Sequence, residues 1–108
     1  IFQPHRYTRT RDLLEEFRDA FADADILIIT DIYPAGERPI EGVTAERLYE
    51  TIRRHGHQNV MFMPDKTVIP GRIHEIMRPG DMIITLGAGD IWKTGRKILS
   101  DHKDPGSS

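Results

Sequence analysis

At 108 residues with a formal net charge of −2, the chain is sized for one domain or part of one, and it is long enough to bury a core without staples. Near-balanced charge gives no field that would draw nucleic acid or a membrane surface. The absence of cysteine excludes a disulfide frame and any thiolate metal site. That absence is compatible with a cytosolic origin, and no apolar run of bilayer length and no signal peptide is legible in the sequence. The chain opens on Ile1 rather than Met, already inside an expected strand, and so reads as a piece of a longer protein.

Ile1 and Phe2 begin that strand, and Pro4, which has no N–H for a ladder, should stop it. The stretch Gln3-Pro4-His5-Arg6-Tyr7-Thr8-Arg9-Thr10-Arg11-Asp12 follows. Thr10 suits a helix N-cap, with Asp12 in the first turn to complement the dipole. His5, Arg6, Arg9 and Arg11 would then crowd the mouth of a helix N-terminus, a setting that holds anions. A solvated basic loop is the competing reading. Leu13, Leu14, Phe17, Ala20, Phe21 and Ala24 form a helical stripe, and Ile26-Leu27-Ile28-Ile29 is an apolar run suited to a strand buried on both faces.

Residues 31–42 form a loop longer than most connections. Within it Asp31 or Glu37 could receive an ammonium group or orient an arginine, or both could be solvated turn residues. Thr44 is placed to cap a helix over 45–55 with Ala45, Leu48 and Ile52 inside and Gly56 beyond its end. Residues 60–63 read as a third strand broken by Pro64-Asp65. A helix starting at Pro70 should run to about Arg78, with Val68, Ile73, Ile76 and Met77 on its inner side. Residues 82–86 read as a fourth strand, 87–90 as a tight turn, and the rest as a helix carrying Ile91, Ile98 and Leu99. The domain is expected over 1–103, with 104–108 a disordered tail or a cloning remnant.

Strand and helix alternate four times, which predicts an α/β fold: an open, mainly parallel Rossmann-like sheet with helices on both faces. Right-handed crossovers favour the order third-second-first-fourth. The switch point then lies between the first and fourth strands, and ligands bind beyond the strands' carboxyl ends at such a point. The loops emerging there are 5–10 and 87–90. Gly87-Ala88-Gly89 lacks the third glycine of a dinucleotide fingerprint, since Trp92 stands in its place, and Lys93-Thr94-Gly95 lacks the order of a phosphate loop. What remains is a tight turn whose glycines admit close approach to the backbone. His55 and His57 have no third ligand in reach of their spacing, so no metal site is expected. No serine–histidine–acid set follows from the spacings, and no catalytic residue is assigned.

Three stretches carry a resemblance. The string from Gln3 to Asp12 resembles the signature that opens the C-terminal domain of the UDP-N-acetylmuramate–L-alanine ligases, within the Mur ligase family. Asp31-Ile32-Tyr33-Pro34-Ala35-Gly36-Glu37 resembles that family's second motif, D-x-Y-P-A-G-E. Gly80-Asp81 and Thr85-Leu86-Gly87-Ala88-Gly89-Asp90-Ile91 resemble its third, G-D and G-A-G-[ND]-I. Order and spacing also agree, over about residues 1–100.

The resemblance implies a bacterial, cytoplasmic enzyme of peptidoglycan precursor synthesis, and so of cell-wall biogenesis, with a UDP-sugar domain, a central ATPase domain and this C-terminal domain. ATP, with Mg, would phosphorylate the lactyl carboxylate of UDP-N-acetylmuramate. The amine of L-alanine would attack the acyl phosphate, and loss of phosphate would leave an amide. Arg9 is the position expected to hold alanine's carboxylate, with His5 and Arg6 in the same pocket, and Gly89 and Asp90 in its opposite wall. Asp31, Tyr33 and Glu37 would stand at the edge. With no phosphate loop of its own, this chain should bind neither ATP nor Mg and should be inactive alone. A stand-alone Rossmann-like binding or regulatory module without ligase activity is the alternative. A phosphate loop about two hundred or more residues upstream would decide for the enzyme.

Overall fold

The structure, a computed structural model, describes residues 1–12, 16 and 21–103. It is a mixed α/β arrangement with a two-stranded parallel sheet. Strand β1 (Leu27–Ile29) pairs with β2 (Val60–Phe62), Leu27 opposite Val60 and Ile29 opposite Phe62. All three residues of β1 are buried, as an unbroken aliphatic run requires.

On the far side of β1 the N-terminal segment joins by single rungs. Phe2 makes isolated parallel bridges to Ile29 on one side and to Leu86 on the other. The Phe2 N–H donates to the Ile28 carbonyl at 2.8 Å, and the Gln3 N–H donates to the Leu86 carbonyl at 2.9 Å. Two of the four expected strands are therefore regular, while residues 1–4 and 82–86 form bridges only. Pro4 interrupts the first ladder by lacking a donor. The 82–86 segment has a neighbour on one side alone among the described residues, and Met82 is 83% exposed.

Five helical elements complete the described chain: α1 (Tyr7–Asp12), α2 (Ala45–Arg54), a 3₁₀ turn (Lys66–Val68), α3 (Ile69–Ile76) and α4 (Ile91–Lys103). Thr44, in extended conformation, accepts from the Arg47 N–H at 3.1 Å and so caps α2. Gly56 follows α2 at φ +103°, a conformation that favours glycine. The side chains of β1 divide the core. Leu27 and Ile29 pack with Ala45, Leu48 and Ile52 of α2, whereas Ile28 packs with Ile69 and Ile73 of α3 and Ile98 of α4. This is the strand period of two at work: successive residues serve opposite faces. Complete burial of side chains such as Leu48 and Ile52 stabilises by about 1.5–3 kcal/mol each.

Three expectations need correction. The first helix begins at Tyr7, so Thr10 lies inside it and its buried hydroxyl donates back to the Arg6 carbonyl at 2.7 Å. Val68 is half exposed, because Ile69 and Pro70 take the inward positions where α3 begins. Leu99 is also half exposed: it sits about 100° around the helix from Ile98, and only Ile98 reaches the core. Phe21 packs on the Phe2 ring at 4.8 Å between centroids. Leu13, Leu14, Phe17 and Ala20 of the expected stripe lie outside the described residues.

Candidate functional site

Beyond Pro4 the chain turns from strand pairing into α1 within two residues. Arg6 makes that turn at φ +66°, a left-handed conformation uncommon for a residue with a side chain. Its backbone is clamped from both sides. The Arg6 N–H donates to the Tyr33 carbonyl at 2.8 Å, and the Arg6 carbonyl accepts from the Thr10 N–H at 3.2 Å. The Tyr33 N–H in turn donates to the Pro4 carbonyl at 2.8 Å. The His5 ring stacks on Tyr33 at 5.7 Å and 10°. The first and second loops are thus joined through both backbone and rings.

Glu37 closes the end of α1. Its Oε1 accepts from the backbone N–H of Tyr7 at 2.8 Å and of Thr8 at 3.1 Å, and its Oε2 accepts from the Thr8 hydroxyl at 2.7 Å. The Thr8 hydroxyl and N–H are the main reasons its carboxyl is held below the usual range; the Tyr7 N–H and the nearby Arg6 charge add to this. Glu37 is therefore the N-cap that Thr10 was expected to be, and the chain's own carboxylate occupies that helix N-terminus.

Beside it lies an open hollow of about 480 Å³ lined by His5, Arg6, Thr8, Arg9 and Asp12. Arg9 is exposed there and has no ion-pair partner among the described residues. Arg11, by contrast, pairs with Asp12 at 3.0 Å in an exposed position. A planar guanidinium at the edge of a hollow can take a carboxylate by two parallel hydrogen bonds.

Asp31 does not join this group. It is exposed, and its Oδ1 accepts from the Ile32 N–H at 3.0 Å, as a turn residue does. Gly89 and Asp90 are one ring away from the hollow rather than in its lining. A Cβ on Gly89 would stand 2.5 Å from the Tyr33 Cγ and 2.8 Å from the Gln3 Oε1, so the missing side chain is what lets Tyr33 and Gln3 approach. The group expected to approach that turn is supplied by the chain itself.

Two residues of this network had no role assigned from sequence. Gln3 is buried; its Nε2 donates to the Asp90 Oδ1 at 2.8 Å and its Oε1 accepts from the Ile91 N–H at 3.1 Å, which caps α4. The signal for Gln3 was a polar side chain in an otherwise apolar strand segment. Lys66 pairs with the same Asp90 oxygen, and no local pattern marks it. Lys66 first, then Gln3, hold the Asp90 carboxyl below the usual range. Among the described residues no three acidic, histidine or cysteine side chains converge to hold a metal ion, and no helix is long and apolar enough to cross a membrane.

A family model described as Mur ligase, glutamate ligase domain, matches residues 2–89. The UDP-N-acetylmuramate–L-alanine ligase of Sorangium cellulosum is 61% identical over 106 residues, covering 96% of this chain and 23% of that protein. The ligase of the same name from Geotalea uraniireducens is 55% identical over 102 residues, covering 94% of this chain and 22% of that protein. The one from Geobacter sulfurreducens is 54% identical over 99 residues, at 92% and 21%. The chain spans about a fifth of the length of these relatives.

Proposed function

The chain belongs to the Mur ligase family, and on that premise we propose that it is the C-terminal, amino-acid-binding domain of an ATP-dependent ligase that joins L-alanine to UDP-N-acetylmuramate in peptidoglycan precursor synthesis. The observation that carries the proposal is the hollow at the strand ends, where Arg9 stands without an ion pair among the described residues beside Arg6 and His5. In this reading the Arg9 guanidinium takes the amino acid's carboxylate, and Arg6 and His5 complete the wall beside it. Tyr33 carries the His5 ring and links this wall to the loop of Gly89 and Asp90. A side chain as small as alanine's offers little to grip, so selectivity would come from the size of the closed pocket.

The reaction proposed for the whole ligase proceeds through an acyl phosphate on the sugar's lactyl carboxylate, attacked by the alanine amine. ATP and Mg are assigned to the central domain, because this chain has no phosphate-loop sequence. The chain's own part is to bind the amino acid, orient its amine and complete the site on closure. The single rungs at Phe2 and Leu86 support reading the sheet as the core of an open, Rossmann-like parallel sheet. The expected setting is the bacterial cytoplasm.

The test is phosphate release by the full-length ligase. Release should require ATP, L-alanine and UDP-N-acetylmuramate together, and this chain alone should release none. Release that is indifferent to L-alanine would refute the assignment.

A further inference from the structure

Asp90 holds an uncomfortable place in the proposed site. Its carboxylate lies outside the hollow proposed for another carboxylate and is connected to it through Gly89, Tyr33 and His5. Two donors meet that charge, and they come from different parts of the chain. Gln3 reaches it from the segment between β1 and Leu86. Lys66 reaches it from the loop after β2, 24 residues away in sequence.

The Lys66 arm is itself well anchored. The Pro64 carbonyl accepts from the Thr30 hydroxyl at 3.1 Å, which ties the loop to the end of β1. Asp65 then caps the 3₁₀ turn that Lys66 begins, accepting from the Thr67 N–H at 2.9 Å and from its hydroxyl at 2.6 Å. The ammonium thus leaves a fixed backbone, and both it and Asp90 are about one-third exposed. Pairs in such partly buried positions are screened less than surface pairs.

We infer that Lys66 is a positioning residue for the amino-acid site: it neutralises Asp90, holds the 87–90 loop on Gln3 and Tyr33, and keeps the Asp90 charge from opposing an incoming carboxylate. The inference rests on the reading that the hollow receives the amino acid's carboxylate. It gives a role to a residue that is not part of the hollow's lining.

Without Lys66, Asp90 keeps one donor and a full uncompensated charge. In the full-length ligase, Lys66→Met should raise the KM for L-alanine roughly three- to ten-fold, the scale of one unpaired charge near the screening length, with kcat much less changed. The rise should shrink as salt is added. Lys66→Gln, a milder change, should act in the same direction, and Lys66→Arg should stay close to wild type because it restores the cation. Lys66→Met combined with Asp90→Asn should return the KM toward wild type, since asparagine keeps an Oδ1 acceptor for Gln3 and carries no charge. A purely structural role predicts lower thermal stability in the Lys66 variants with no salt-dependent KM effect and no rescue by Asp90→Asn. That pattern, or an unchanged KM in all Lys66 variants of an active enzyme, overturns the inference while leaving the proposed function intact. A wild-type enzyme with no alanine-dependent phosphate release overturns both.

Discussion

Replacing Gln3 by methionine should cost more than its position in a short strand segment suggests. Methionine keeps nearly the volume and flexibility of glutamine, so packing changes little. What is lost is two hydrogen bonds made by a side chain that is 2% exposed. The bond to Asp90 is to a charged group, a class worth about 1.5–3 kcal/mol, and its loss is softened because Lys66 still pairs with the same oxygen. The Ile91 N–H at the start of α4 is the more serious loss. It is buried, and an orphaned buried donor costs about 1–3 kcal/mol. Together the change should destabilise by about 2–4 kcal/mol, which for a domain of this size lowers Tm by roughly 10 °C or more. Urea unfolding followed by the fluorescence of Trp92, the chain's single tryptophan, reads it directly, because Trp92 lies in the first turn of the helix that Gln3 caps. Gln3→Glu sharpens the test: it keeps an acceptor for Ile91 but sets a second carboxylate against Asp90, so its stability should recover as the pH falls. A Gln3→Met loss below about 0.5 kcal/mol, the range of an ordinary surface change, would refute the account of Gln3 as the link between the strand segment and α4.

Arg9→Lys in the full-length ligase should raise the KM for L-alanine about ten- to a hundred-fold, the value of a charge-assisted fork of about 1.5–3 kcal/mol, and change that for UDP-N-acetylmuramate far less. Steady-state kinetics check this against Arg11→Lys, which should be nearly neutral because Arg11 is exposed and, among the described residues, pairs with its neighbour Asp12. The Glu37 carboxyl is held low in the folded protein, so its stabilisation is full above the usual carboxylate range and fades as the pH falls through its lowered value. Wild type and Glu37→Gln should therefore differ in Tm at neutral pH and converge in acid, and a constant gap in a pH series of melts would contradict the cap. Gly89→Ala should destabilise by about 1–3 kcal/mol through forced movement of Tyr33 and Gln3, measured by the same urea unfolding, and an unchanged midpoint would remove the close approach from the argument.

The parts that could be read from sequence are the local ones. Thr44, the inward set Ala45, Leu48 and Ile52, and Gly56 are start, stripe and stop signals within a dozen residues, and the structure uses all of them. The run Leu27-Ile28-Ile29 is likewise self-explanatory once both its faces are seen covered. Adjacent apolar residues mislead when a helix can bury only one of them, as at Ile98 and Leu99. The start of α1 was misplaced for a deeper reason. Thr10 carries a legitimate capping side chain, but the cap in use comes from Glu37, and nothing near Tyr7 encodes a partner 30 residues away. The pair of Lys66 with Asp90 is hidden in the same way. His5, Arg6 and Arg9 line one hollow, whereas Asp31 stays in its turn and Gly89 and Asp90 lie outside that lining.

Those hidden contacts bear on the chemistry as well as the fold. Asp31, Glu37, Asp81 and Asp90 are the acids of the two later motifs, and from sequence Asp31 or Glu37 could be taken for a receptor of the amino acid's ammonium group. Glu37 spends both oxygens on the N-terminus of α1, and Asp90 is shared between Lys66 and Gln3. Both carboxyls are held low by these internal donors, so neither is poised to take up a proton near neutral pH. Asp12, the one acid among the hollow's described lining residues, already faces Arg11. In the proposed reading this division is useful. A carboxylate gripping the ammonium would stabilise the protonated amine, which has no lone pair with which to attack an acyl phosphate. A site that grips only the opposite end, through Arg9, fixes the amino acid while leaving its amine free to lose a proton and react. On that reading Glu37 and Asp90 are held by the chain's own donors, and Arg9 is left to the ligand's carboxylate.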